Sequence, residues 1–274
     1  MSEFNKEMQR RNLAALAKSP GGFQFTRTFF PYTSYEIGPY YVQSAAIMND
    51  GAAYAIACRD LATIVRTEVG EGFNGIVSGG ESRDWCFSSP VAQILQLPHT
   101  MIYKRDETGQ CKTVGATMKG KEVVHVADLN NEGSSPRDMW VPTIIKAGGK
   151  TTHIFFYVDR LESGVEEMRK LGLKSHAIIP LDESAWQYLQ EIRIVSQEVY
   201  KSLCSRMEDK NEWAKAMLRS DEGLETLVAL LGSIKTREKG QKILSIGYPD
   251  IRGEIVDRLK SKRAQWPGVQ RWLE

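Results

Sequence analysis

The chain is short of cysteine and histidine, and it has no long apolar run. Cys58, Cys86, Cys111 and Cys204 are its four cysteines, widely spaced with no CxxC pair; this excludes a disulfide framework or cysteine-rich zinc site and points to reduced thiols in a cytoplasm. His99, His125, His153 and His176 show no metal-ligand spacing with one another or with the cysteines. The nearest approach to a membrane span, AAYAIACRDLATIV, is broken by Arg59 and Asp60 and falls short of the roughly 20 apolar residues a spanning helix needs. The opening MSEFNKEMQRRN is charged and lacks an apolar core followed by a small-residue cleavage site, so no secretory signal is expected. There is no G-x-S-x-G elbow, Walker loop or G-x-G-x-x-G fingerprint. An excess of one charge is also missing: 36 basic and 34 acidic side chains leave +2, so neither nucleic acid nor an anionic membrane is the expected main partner.

What is there is ordinary globular composition, with 42% apolar and 26% charged residues in 274. Residues 2–18 read as a helix with Ser2 as cap, ended by SPGG, and FQFTRTFF at 23–30 has strand character. Asp50 is placed to cap a helix running to about Val69. GIVSG (75–79), TMIYK (100–104), VVHVAD (123–128), HIFFYV (153–158) and HAIIPL (176–181) then read as strands, with helical stretches between them. Continuous apolar strands alternating with helices predict a doubly wound, mainly parallel α/β sheet. Beyond residue 183 helical periodicity takes over, so the expected division is an α/β domain over 1–182, including the N-terminal helix and the segment after it, and a helical extension over 183–274. In the extension, Trp186, Leu189, Ile192, Val195, Val199 and Leu203 form one apolar stripe, GLETLVALLGSI a second, and Asp250 can cap a helix carrying Ile251, Ile255 and Leu259.

In an open parallel sheet, ligands sit beyond the carboxyl ends of strands, where loops enter helices. VVHVADLNNEGSS at 123–135 occupies such a place: an apolar strand ends in Asp128, a polar turn follows, and Ser135, Pro136 and Asp138 have helix-start spacing. Amides at a helix start favour phosphate. Asp128 can equally be a turn residue bonding its own backbone. By the same bland reading Arg83 and Asp84 are a solvated pair, and KRDETGQCKTVGATMKGK is an exposed hairpin. His125 reads as a buried, satisfied imidazole.

VVHVADLNNEGSS resembles the ribose-phosphate signature of type I phosphoribosyltransferases. FFPYTSYEIGPYYVQ (29–43), FNGIVSGGESRDW (73–85) and LPHTMIYKRD (97–106) are similar, in order and spacing, to further segments of the orotate enzymes, so the resemblance covers roughly residues 22–182. It implies a phosphoribosyltransferase-like fold and transfer of a phosphoribosyl group from 5-phosphoribosyl-1-pyrophosphate to a base, with magnesium carried by the ligand rather than by direct protein ligands. It further implies that Asp128 meets the ribose hydroxyls and that Asn131, Glu132, Gly133, Ser134 and Ser135 wrap the 5-phosphate. Ser78, Gly79, Gly80, Glu81 and Ser82 would form the pyrophosphate side, the two glycines letting backbone approach the ligand. Lys104 and Arg105, with a mobile basic loop after them, would neutralise the leaving group, and Ser34, Tyr40 and Tyr41 would face the base. In the orotate enzymes that loop reaches the neighbouring subunit's site, so a homodimer is implied.

The chain also departs from the signature. Its first acidic position is Ala127, Asn131 and Glu132 stand where threonines are expected, and Thr33 stands in place of a lysine. Two functions are therefore expected in competition: an orotate-type phosphoribosyltransferase, or a relative acting on another base, and a fold-sharing module that binds a nucleotide or phosphosugar for regulation. A third, weaker expectation is that the basic helix end KSKRAQW (260–266) touches RNA or another protein.

Overall fold

The computed structural model describes residues 3–262 and 265–266. Two compact units emerge, Met1–Gly22 with Gln43–Leu189, and Phe23–Val42 with Gln190–Glu274. These units do not coincide with a division at residue 183: the segment Phe23–Val42 groups with the C-terminal helices.

The first unit begins with α1 (Glu3–Lys18); Ser2 lies outside the described residues. Met8, Leu13 and Leu16 are buried, and α1 packs on β8 (Lys174–Pro180) and α2 (Gly51–Val69). Asp60, which interrupts an apolar stretch in the sequence, is itself buried because α1 satisfies it: Arg11 Nε donates to Oδ2 at 2.8 Å and Asn12 Nδ2 at 2.5 Å. Asp50 caps α2 as its position predicts, its Oδ1 accepting from Ala52 N at 2.9 Å and Ala53 N at 3.1 Å.

Six strands form one sheet: β3 (Ile76–Gly80), β4 (His99–Arg105), β5 (Cys111–Gly115), β6 (Glu122–Asn130), β7 (Lys150–Asp159) and β8, in the order β5-β4-β3-β6-β7-β8. All neighbours are parallel except β5, which returns antiparallel beside β4. Ile154 to Val158 in β7 are buried throughout, the run a strand needs when helices cover both faces. On one face Val141 of α4 (Val141–Lys146) and Met168 of α5 (Gly164–Lys170) pack in one cluster with Ala127, Ile154 and Phe156. On the other, Phe87 of α3 (Arg83–Leu95) stacks on Tyr157 with ring centroids 4.8 Å apart. The sequence-derived fold therefore stands: a doubly wound α/β sheet with C-terminal helices. Among the described residues no helix is long and apolar enough to cross a membrane, and the four cysteines are free.

In the second unit, β1 (Phe23–Pro31) and β2 (Ile37–Val42) form an antiparallel ribbon. The helices that share the unit begin at the end of α6 (Glu183–Glu191) and continue with α7 (Gln197–Glu208), α8 (Lys210–Arg219), α9 (Asp221–Gly232), α10 (Arg237–Lys242) and α11 (Arg252–Ser261). The predicted stripe from Trp186 to Leu203 is buried at Trp186, Leu189, Val195, Val199 and Leu203, but it is broken: α6 carries the first two, α7 the last two, and Val195 lies in the turn between them. Arg193 takes a left-handed φ of 62°, and Ser196 Oγ accepts from Val199 N at 3.3 Å to start α7. Asp250 does not cap the last helix; it lies in a short turn and meets Lys215 Nζ at 2.5 Å. In KSKRAQW, Arg263 and Ala264 lie outside the described residues, while Lys262 sits 5.7 Å over the Trp266 ring.

Leu218, Leu224, Leu227 and Leu231 are fully buried in the core of this unit with Phe29 and Ile37. Leu227→Ala is expected to lower unfolding free energy by roughly 2–5 kcal/mol, the usual range for a leucine truncated in a closed core. Urea unfolding of the full chain checks it.

Candidate functional site

The strand order fixes where a ligand can enter. From β3 the chain runs through α3 to β4 on one side, and from β6 through α4 to β7 on the other, so the topological switch lies between the carboxyl ends of β3 and β6. Those ends carry Gly79 and Gly80 on β3 and Asp128 to Asn130 on β6. Asp128 is therefore a switch-point residue, a fact its sequence position alone does not reveal.

Asp128 is only 8% exposed. Ser44 Oγ donates to its Oδ2 at 2.6 Å and Arg83 Nε lies 3.5 Å from the same oxygen. Its main-chain N–H donates to Asp84 Oδ1 at 3.0 Å, while Gly80 N–H donates to Asp84 Oδ2 at 3.1 Å. Burial, and then the Asp84 charge, push the Asp128 carboxyl up to about 7, against the opposing pull of Ser44 and Arg83. Behind Asp84, His125 Nε2 stands 3.7 Å from Oδ2. Its Nδ1 shares a 2.9 Å hydrogen bond with Ser78 Oγ, and its ring stacks on Trp140 at 6.2 Å.

The turn after β6 is held from below by α5. Gly164 N–H donates to Asn131 O at 2.9 Å. Gly133 has φ +70°, and a Cβ there would stand 2.9 Å from both Glu167 Cβ and Met168 Cε, so only glycine fits. Ser134 and Ser135 begin the helix, which opens with a single π turn, Pro136–Trp140, before α4. Ser135 makes no side-chain cap, and Asp138 does not complete a capping box: Arg137 Nε and Nη2 hold it at 2.8 and 2.9 Å, and Arg137 Nη1 reaches Glu167 at 3.2 Å. That guanidinium holds the Asp138 carboxyl below the usual carboxylate range. Arg105 Nη2 donates to Asp138 O at 2.5 Å, which joins the end of β4 to the same helix.

No family model matches the chain. It is 29% identical to the orotate phosphoribosyltransferase of Sulfolobus acidocaldarius over 157 residues, covering 56% of this chain and 76% of that protein. With the Saccharolobus solfataricus orotate phosphoribosyltransferase it shares 27% over 174 residues, or 62% and 84% of the two chains. Among solved structures, the orotate phosphoribosyltransferase of Aeropyrum pernix superposes with a TM-score of 0.55 at 19% identity, over 66% of this chain and 97% of that one. Leishmania donovani UMP synthase gives 0.60 at 20%, over 72% of this chain and 41% of that one. The chain is similar in sequence to orotate phosphoribosyltransferases and shares the fold of the type I phosphoribosyltransferases.

Set against that family, the structure brings together some of the residues picked from the sequence and gives others a different task. Asp128 and the 131–135 turn lie at the switch point, with Asn131 and Glu132 half-buried. Ser78, by contrast, is buried and committed to His125. Gly79 and Gly80 are required by packing: a Cβ at Gly79 would lie 2.1 Å from Ser88 Oγ, and one at Gly80 2.2 Å from Trp140 Cε2. These glycines let a helix and a tryptophan approach the strand end. Glu81 turns toward β4, its Oε2 accepting from Lys104 N at 2.8 Å, and Ser82 is exposed and does not cap α3. Lys104 and Arg105 are exposed at the end of β4. The segment after them is a hairpin whose turn is closed by Asp106 Oδ1 on Thr108 N and Gln110 N at 2.9 and 3.1 Å. Ser34, Tyr40 and Tyr41 belong to the second unit; Tyr40 is buried and Tyr41 is exposed.

Sequence reasoning missed three residues of this site. Asp84 is buried and bridges two strand ends, so it is not the solvated partner of Arg83. Arg83 instead reaches Gln43 Oε1 at 2.6 Å as well as Asp128, and Ser44 comes from the turn before α2. The one sequence signal for Asp84 was an acidic residue in the first turn of a helix that follows a glycine-ended strand.

Proposed function

We propose that the chain is a phosphoribosyltransferase of the orotate type, acting on 5-phosphoribosyl-1-pyrophosphate and a nucleobase. The observation that carries the reading is the placement of Asp128 and the 131–135 turn at the switch point of a fold shared with orotate phosphoribosyltransferases. Asp128 would accept hydrogen bonds from the ribose hydroxyls. The first-turn amides of the helix after Gly133, which lack intrahelical acceptors, would hold the 5-phosphate. In the reaction the C1–oxygen bond to pyrophosphate breaks, the base nitrogen bonds C1, and pyrophosphate leaves with the electron pair of the broken bond. Lys104 and Arg105 would stabilise that developing charge. Among the described residues no three His, Cys, Asp or Glu side chains converge on a metal position. Magnesium would enter with the diphosphate, which supplies the hard oxygens it prefers. A homodimer and a cytoplasmic setting complete the reading.

Purified protein mixed with phosphoribosyl pyrophosphate, magnesium and a panel of bases is expected to release pyrophosphate; silence with every base would remove transfer activity. Lys104→Ala is expected to lower kcat by about a hundredfold, the usual loss for one electrostatic group aimed at developing charge. Because Lys104 is exposed, its thermal unfolding should be unchanged, so calorimetry beside the assay separates catalysis from stability.

A second reading, a phosphosugar- or nucleotide-binding regulatory module, is favoured by Ala127 and by the engagement of the Gly80 amide with Asp84. Calorimetric binding without turnover would select it.

A further inference from the structure

One side chain joins the two strand ends at the switch point. Asp84, 7% exposed, uses one carboxylate oxygen for the Asp128 amide and the other for the Gly80 amide. Both are hydrogen bonds from neutral amides to a carboxylate, the stronger kind, so the pair ties the end of β3 to the end of β6 beyond their ladder. The position that the family signature gives to a first acidic residue is Ala127, 3% exposed within an apolar cluster of Val141, Phe156, Met168 and Leu173. A carboxylate at 127 would be stripped of water with no cation to offset it. Asp84 approaches the same strand end from α3.

We infer that Asp84 is a positioning residue of this site, pinning β3 to β6 and supplying beside Asp128 the second carboxyl that Ala127 does not. The inference rests on reading residues 128–135 as the ligand site. The groups facing Asp128 are Asp84, Arg83 and Cys86 from α3 and Ser44 from the turn before α2, while His125 of β6 faces Asp84 from behind. Arg83 is more than half exposed and shared with Gln43, so one solvated cation stands against two buried carboxyls and Asp128 retains a proton near neutrality. Ribose hydroxyls donating to Asp128 favour its ionised form and drive that proton off. Ligand capture is thereby coupled to proton release through a residue that need not touch the ligand.

The test begins on the ligand-free full chain with carbon-13-labelled aspartate, following the Asp128 carboxyl by NMR as pH is varied. In Asp84→Asn the midpoint is expected to fall by about one unit or more, the effect of removing a like charge at close range; an unmoved midpoint overturns the inference. Amide exchange at Gly80 and Asp128 should speed up by about tenfold or more in Asp84→Ala and by less in Asp84→Asn, which keeps one acceptor. Unchanged exchange in both variants likewise overturns it. Calorimetry with phosphoribosyl pyrophosphate and magnesium, in two buffers of different ionisation enthalpy, should then show proton release by the unaltered chain and little by Asp84→Asn. Equal release by both counts against the inference. The first two measurements need no ligand, so a chain without transfer activity could still confirm the role of Asp84, and a failed Asp84 test would leave the transfer reading intact.

Discussion

Gly80→Val is expected to lower the stability of the chain by about 3 kcal/mol or more, beyond the usual cost of an added methyl group in a packed interior. The reason is steric and local. A Cβ at this position would lie 2.2 and 2.4 Å from Trp140 Cε2 and Cζ2 and 2.8 Å from Asp84 Oδ2, so neither an indole nor a bonded carboxylate can stay where it is. Trp140 is buried and stacked on His125, and moving Asp84 releases the amides of Gly80 and Asp128 together. The expected fall in Tm is on the order of 10 °C for a chain of this size. If the clash is with Trp140, the milder Gly80→Ala should be less harmful in a Trp140→Ala background than the two single losses predict. Strict additivity in that cycle would show that the glycine is needed for some other reason. Ligand affinity should fall along with stability, since the displaced groups line the switch point.

Asp128→Asn is expected to separate stability from function. For function, an amide cannot replace a carboxylate as acceptor for ribose hydroxyls without losing a charge-assisted bond of roughly 1.5–3 kcal/mol. The kcat/KM for transfer should drop by about a hundredfold. For stability, the sign is opposite. Burial and the Asp84 charge raise the folded-state pKa of Asp128 from 3.8 to about 7, so between those values the folded chain binds more protons than the unfolded one. The contribution of the protonated carboxyl is complete below about pH 4 and is lost as pH rises through about 7. Asparagine has no such dependence and can still accept from Ser44. The stability of Asp128→Asn relative to the unaltered chain should therefore increase from pH 4 to pH 8, by on the order of 2–4 kcal/mol at about 1.4 kcal/mol per pKa unit. Denaturant melts at pH 4.5 and 8 read this directly, and a difference that stays flat with pH would show that Asp128 is ionised in the folded chain throughout.

The legible parts of the molecule are those written by local rules. Asp50 as a cap, the burial of β7 and the glycine turn after Asp128 follow from hydrogen bonding at a helix start, from a strand covered on both faces, and from the steric demand of a positive φ. Where local rules permitted two outcomes, packing chose. Ser135 and Asp138 have capping-box spacing, yet Arg137 takes the aspartate because Glu167 of α5 holds the guanidinium in place. The basic segment after Arg105 had the composition of a mobile loop, and it pairs with β4 because Asp106 closes its turn.

The sequence by itself determined the five parallel strands of the sheet, the helices that cover them, and the candidate phosphate turn, because each depends on residues a few positions apart. Only the tertiary structure decided that β3 and β6 are neighbours, that Phe23–Val42 groups with the C-terminal helices, and that Asp84 serves Asp128 across 44 positions of chain. Strand order and long-range pairing are set by which apolar faces can be buried together, a property of the whole chain that no short segment carries.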